Sequence, residues 1–160
     1  MDAAIYPGSF DPITYGHLNI IERALSIFSR VVVLVAVNPQ KSYLFSTDEK
    51  VEMIREATQE WPRVEVDRSE GLLVEYARKR QLHIAVRGLR AVTDFEGEFA
   101  MALTNRTLWS EMDTVFLMTR SDYMYLSSSV VRQVAQLGGD ISSFVPPAVE
   151  RRLRAKFGHA

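Results

Sequence analysis

The chain has 160 residues, 47% of them hydrophobic, no cysteine and a formal net charge of −1. That length and composition fit one globular domain, residues 1–160, with a full core and no room for a second. The near-zero charge excludes a general nucleic-acid binder, the missing cysteines exclude disulfides, a thiol nucleophile and thiolate metal sites, and no apolar run approaches a membrane span. Met1-Asp2-Ala3-Ala4 runs into apolar sequence without a basic or apolar leader, so a cytoplasmic address is expected.

The stretch IYPGSFDPITYGH, Ile5 to His17, reads as a strand, a turn and a helix start. Gly8 and Gly16 carry no Cβ, so backbone N–H groups there can approach a ligand closely. A helix N-terminus favours an anion, and His17 would sit in that anion's field. A plain capping turn with a surface histidine fits the same residues.

Leu18, Ile21, Leu25 and Phe28 recur at helical spacing, and the β-branched run Val31–Val37 reads as a strand buried on both faces. Asn38-Pro39 ends it, with Lys41 in the following loop. Ser46-Thr47-Asp48-Glu49 is a capping box whose helix carries Val51, Ile54 and Trp61 on one face. A strand at Val64–Asp67, a helix from Leu72 to Arg80 and a strand at His83–Val86 follow, with Arg87-Gly88-Leu89-Arg90 at the last strand's carboxyl end. Thr93-Asp94-Phe95-Glu96 reads as a second capping box, and Phe95, Phe99, Ala102 and Leu103 as the buried side of its long helix. After a strand at Thr114–Met118, the loop Thr119–Leu126 runs into Ser127-Ser128-Ser129, which suit a helix N-terminus. That helix closes at Gly138-Gly139, and Pro146-Pro147 opens a final one bearing Val149, Leu153 and Phe157.

Strands and helices alternate five times, which argues for an α/β, Rossmann-like domain: a five-stranded parallel sheet with helices on both faces. Ligands of such sheets bind outside the carboxyl ends of the strands. Ser9 and His17 follow the first strand, Lys41 the second, Arg87 and Arg90 the fourth and Ser127–Ser129 the fifth, so all collect on one edge. Each has an ordinary reading as well: a solvated lysine, surface arginines, a capping serine, a solvent-facing Glu98, loop-packing Tyr123 and Tyr125. Two guanidiniums bracketing a glycine also make a fork for phosphate oxygens.

The blocks YPGSFDPITxGH, RGLRAVxDFE, FLM and SSSVVR, in this order and spacing, resemble the bacterial phosphopantetheine adenylyltransferases across essentially the whole chain. The T-x-G-H element alone is shared with the wider nucleotidylyltransferase superfamily. Ser9 stands where many relatives have Thr and keeps the hydroxyl; Tyr15 replaces a common Asn. The resemblance implies transfer of the adenylyl group of ATP to 4′-phosphopantetheine, giving dephospho-coenzyme A and pyrophosphate. It makes His17 the group that stabilises the transition state at the α-phosphate. Ser9, Lys41, Leu73 and Arg87 would hold the acceptor. ATP would be held by Ser9, Phe10, His17, Gly88, Leu89, Arg90 and Glu98, and by Tyr123, Met124, Tyr125, Leu126, Ser127, Ser128 and Ser129. Mg²⁺ would bridge phosphate oxygens with no named protein ligand. Coenzyme A is implied as a feedback ligand and a homohexamer as the assembly, with no nucleic-acid or membrane partner. Competing readings are a nucleotidylyltransferase for another phosphorylated acceptor, such as nicotinamide mononucleotide or glycerol phosphate, and a non-catalytic ATP-binding module.

Overall fold

Five parallel strands form the centre of the computed structural model, which describes residues 3–159. The expectations that rest on Met1 and Asp2 lie outside that range. In chain order the elements are β1 (Ala4–Gly8), α1 (Tyr15–Leu25), β2 (Val31–Val37), α2 (Thr47–Ala57), β3 (Val64–Glu70), α3 (Leu73–Arg80), β4 (Ile84–Leu89), α4 (Val92–Leu108), β5 (Asp113–Met118), α5 (Ser128–Gln136) and α6 (Pro147–Phe157). A 3₁₀ turn at Ser121–Tyr123 interrupts the connection from β5 to α5. The α/β reading of the sequence is correct.

The sheet order is β3-β2-β1-β4-β5, with every neighbouring pair parallel. Alternate residues of the central strands serve opposite faces, as the pleat requires. Val31, Val33 and Val35 join Ala4, Tyr6 and residues of α1, α2, α5 and α6 in one core. Val32 and Leu34 join Ile5 and residues of α3 in another, closed by Trp109 and Met112.

The chain winds outward from β1 to β3, then returns to place β4 on the other side of β1, so the topological switch lies between β1 and β4. There the sheet opens. β1 pairs with β2 along all five residues but with β4 only at Ala4–Ile84 and Ile5–Ala85. Pro7 has no N–H to offer β4. Its carbonyl is instead taken by the Arg87 guanidinium, which reaches across the gap from β4. Gly88 lets α1 lie close on β4, since a Cβ there would come within 2.9 Å of Ile20.

Four details depart from the sequence reading. β4 runs on through Leu89, so Arg87 and Gly88 are strand residues, not loop residues. Trp61 lies beyond the end of α2, in the turn before β3. Thr93 caps nothing: α4 begins at Val92 after Ala91, and Asp94 turns back to accept the Arg90 N–H at 3.1 Å. The largest difference is the apolar stripe of α4. Phe95, Phe99 and Leu103 are 42%, 46% and 51% exposed, and Asn105 is the helix's one fully buried residue.

Candidate active site

A cavity of about 430 Å³ opens at the carboxyl edge of the sheet where β1 and β4 part, a size suited to a small-molecule site. Its wall brings together Ser9 and Phe10 from the first loop, His17 from the start of α1, Lys41 from the second loop, Arg87 and Gly88 from β4, Arg90 from the turn after it, Glu98 from α4, and Tyr123, Leu126 and Ser127–Ser129 ahead of and within α5.

His17 is held by the local logic of a helix start. Thr14 is the N-cap of α1 and His17 the third helical residue, where a capping box usually carries Glu or Gln. Here the imidazole takes that part: Nδ1 accepts the Thr14 backbone N–H at 3.0 Å. A nitrogen that accepts cannot carry the proton, so neutral His17 holds its proton on Nε2. That N–H has no partner among the described residues, and the side chain lines the cavity. Burial, then the charges of Arg87 and Arg90, push the His17 pKa down to about 4. The site therefore offers a neutral, orientation-locked donor.

Below the imidazole lies Phe10, whose ring meets His17 edge-on at 5.0 Å and Tyr6 at 5.3 Å. Phe10 is buried and adopts φ 46°, a strained value for a side chain of this size. Gly8 makes room for it, since a Cβ there would stand 2.9 Å from the Phe10 ring. The buried Asp11 carboxylate accepts the Leu44 and Phe45 N–H groups at 2.9 and 3.0 Å, tying the opening loop to the one that carries Lys41.

Arg87 of β4 and Arg90, just past its end, are braced, not free. Arg87 gives Nε and Nη2 to both Glu98 oxygens at 2.7 and 2.6 Å, besides its bond to Pro7. Burial works against the Arg87 charge, but the Glu98 hydrogen bond and charge prevail and raise its pKa. Arg90 straddles Asp94 and gives Nη1 to the Leu126 carbonyl at 3.0 Å. Burial pushes Asp94 up, yet the Arg90 side chain and backbone outweigh it and hold the carboxyl below its usual range. A guanidinium has five N–H donors, and each of these spends three, leaving two for a ligand.

The serines divide by role. Ser127 caps α5 by accepting the Val130 N–H. Ser128 spends its hydroxyl proton on the Pro12 carbonyl at 2.7 Å and so has no side-chain donor for a phosphate. Ser129 accepts from Arg132, which also donates to the Asp11 carbonyl at 2.6 Å. Asn19, buried in α1, accepts the Arg120 N–H and anchors the loop after β5.

Four residues singled out in the sequence lie outside the cavity wall. Leu73 packs beside the core cluster of α3, on the other face of the sheet. Leu89 contributes its carbonyl to the Thr119 N–H. Met124 and Tyr125 are largely exposed, Tyr125 lying edge-on to Phe144. Sequence reading missed Asp11, Tyr43, Asp94 and Arg132, all in the wall. Two carried a signal in their spacing: Asp94 stands four residues after Arg90, and Arg132 one turn after Ser129.

The model of the cytidylyltransferase-like family matches residues 5–134. A phosphopantetheine adenylyltransferase of Heliobacterium modesticaldum is 54% identical over 158 residues, covering 99% of this chain and 94% of its own. That of Moorella thermoacetica is also 54% identical, with 99% of both chains covered. Among solved structures, a Vibrio parahaemolyticus protein assigned as a nicotinate-nucleotide adenylyltransferase superposes with a TM-score of 0.70 over 96% of this chain and 99% of its own, at 20% identity. That last likeness speaks for the fold.

Proposed function

The chain belongs to the phosphopantetheine adenylyltransferases of the cytidylyltransferase-like family, and from that premise we propose that it joins ATP to 4′-phosphopantetheine, releasing pyrophosphate and dephospho-coenzyme A. The observation that carries this reading is His17, a neutral donor locked in one tautomer on the wall of a cavity that also holds Lys41, Arg87, Arg90 and Arg132.

An oxygen of the acceptor phosphate attacks the α-phosphorus, and the bond to the pyrophosphate oxygen breaks. The attacking oxygen is already anionic at neutral pH, so no general base is needed and catalysis reduces to alignment and charge stabilisation. His17 Nε2–H donates to an α-phosphate oxygen, where charge redistributes as the transition state forms. Lys41, exposed and extended from its loop, takes the acceptor phosphate together with Ser9. The spare N–H groups of Arg87 and Arg90, the Ser129 hydroxyl and the first backbone N–H groups of α5 receive the remaining phosphate oxygens.

The Asp11, Asp94 and Glu98 carboxylates in the wall are all engaged by backbone or arginine donors. Among the described residues, no cluster of His, Asp or Glu is built to hold a metal. An Mg²⁺ bound to the triphosphate would neutralise phosphate charge and would be held through the phosphate oxygens that Arg87, Arg90 and Ser129 receive.

Residues 1–160 act as one domain in this reading. Among the described residues no helix is long and apolar enough to cross a membrane; a cytoplasmic address is part of the reading proposed. The uncovered side of α4, with Phe95 and Phe99 stacked at 5.4 Å and Leu103 exposed one turn further along the same face, supports self-association, and we take the assembly to be a homohexamer. Phe99→Glu should then shift the sedimentation coefficient to a smaller species; a wild-type protein that already sediments as a monomer refutes the assembly. Coenzyme A contains both the pantetheine arm and the adenine nucleotide, so it should compete with both substrates.

Pyrophosphate release with ATP, Mg²⁺ and one acceptor at a time tests the function. Turnover is expected with 4′-phosphopantetheine alone. Faster release with nicotinamide mononucleotide or glycerol phosphate would replace this reading.

A further inference from the structure

Among the described residues, only two charged side chains are fully buried, Asp11 and Lys50. Asp11 is accounted for by its bonds to Leu44 and Phe45 and by Arg132, whose Nη1 lies 3.8 Å from the carboxylate. Lys50 is not. It lies on α2 at 1% exposure, outside the cavity wall, and nothing in the chemistry above uses it. Its neighbours Val51, Met53 and Ile54 are apolar core residues, and a Leu or Met at position 50 would fill the space without the cost of burying an ammonium.

What the ammonium meets is Tyr43. The Lys50 Nζ stands 3.4 Å from the centre of the Tyr43 ring. Burial lowers the Lys50 pKa, with Asp11 opposing and Arg132 reinforcing that shift, so the aromatic face and Asp11 are the groups that favour its charge. Tyr43 lines the cavity, and its hydroxyl accepts the Asn38 N–H at 3.2 Å. Asn38 in turn receives the Lys41 N–H on its carbonyl at 3.0 Å and the Gln40 N–H on its side chain at 2.9 Å. The exposed turn that carries Lys41 is therefore strapped at Asn38 to the Tyr43 hydroxyl, ahead of the anchor that Asp11 gives to Leu44 and Phe45, and the Tyr43 ring rests on Lys50.

We propose that Lys50 is a positioning residue for the acceptor: seated against the Tyr43 ring, it fixes the Asn38–Phe45 loop so that Lys41 meets the incoming phosphate. This builds on the functional reading above. Lys50 never touches substrate, and its effect should fall on one substrate only.

Lys50→Met keeps the stem and removes the charge. It should raise the KM for 4′-phosphopantetheine about 5- to 20-fold, the scale of a desolvated cation–π contact, and leave the KM for ATP within about twofold. Lys50→Arg, which can stack on the same ring, should recover the acceptor KM to within about threefold of wild type. Tyr43→Leu should reproduce the Lys50→Met defect, Tyr43→Phe should show a smaller one, and the double variant K50M/Y43L should be no worse than the worse single variant. An unchanged acceptor KM, equal losses for both substrates or additive effects would overturn the proposal. Should Lys50→Met fail to fold, the order of Tyr43→Leu and Tyr43→Phe decides alone.

Hydrogen exchange without substrate tests the strap separately. The Asn38 and Lys41 amides should exchange faster in Lys50→Met than in wild type, and unchanged protection rules the strap out. Absence of wild-type turnover with 4′-phosphopantetheine would instead count against the functional reading.

Discussion

The loops after β1 and β2 leave neighbouring strands and line the same cavity, yet they are built to opposite specifications. From Phe10 to Thr14 the first is buried, strained at Phe10 and tied to α5 and to the second loop through Arg132, Ser128 and Asp11. From Asn38 to Ser42 the second is exposed, and its lysine extends from a turn held at Asn38 and Tyr43. The difference follows from when charge appears. The acceptor phosphate is anionic before it binds, and an ammonium on an exposed turn can meet it in the ground state. Charge at the α-phosphate is rearranged only in the transition state, and a donor aimed there must already be in place.

Removing His17 should have the largest effect. His17→Ala should lower kcat roughly 10²- to 10³-fold, the scale for losing one preorganised donor, with both substrates binding within a few-fold of wild type. Loss of ATP binding with kcat preserved would make the first loop a ground-state contact and erase the contrast with the second.

Arg90 should come next, since it both offers N–H groups to the cavity and braces the Leu126 carbonyl against Asp94. Arg90→Ala is expected to raise the KM for ATP roughly 10- to 100-fold, the range of charge-assisted hydrogen bonds, and the acceptor KM by much less. Equal increases would mean that the brace supports the whole cavity and not the nucleotide side. Lys41→Ala should be milder, raising the acceptor KM about tenfold for one exposed charge–phosphate contact and leaving calorimetric ATP affinity nearly intact.

How much of this could be read from the sequence depends on how far apart the interacting partners are. Strand and helix alternation is a local pattern, and it put His17, Lys41, Arg87 and Ser129 on one edge without knowledge of any contact. The brace of Arg87 on Glu98 joins two elements eleven residues apart, and its third bond reaches back to Pro7, so residue type alone suggested a free phosphate fork. Helical periodicity marked the apolar side of α4 but could not say whether its own sheet or another surface covers it; Phe99 and Leu103 are left outside the core. Asp94 was read as part of a cap led by Thr93 because S/T-x-x-E spacing is ambiguous by a residue, and the pull of Arg90 decided the geometry.

The smallest expected effect is a limb that does not appear, and it separates a locked donor from a titrating base. With its pKa pushed down to about 4, His17 is neutral in the free enzyme throughout the range above about pH 5, whereas an ordinary imidazole would gain its proton near 6.5. The acceptor's phosphate monoester loses its second proton near pH 6. The acid limb of log kcat/KM for the acceptor should therefore have a slope of one, set by the substrate, and His17→Asn should lower the whole curve without moving that limb. A slope of two that falls to one in the variant would mean that the imidazole titrates at its usual value. Stability supplies the matching sign. Between about pH 6.5 and 4 the unfolded chain binds a proton at His17 that the folded protein refuses, so stability against unfolding falls as the pH drops through that window. Denaturation midpoints of wild type and His17→Asn should thus converge toward low pH, the variant lacking this loss; parallel curves would show that the buried donor is not held neutral by the fold.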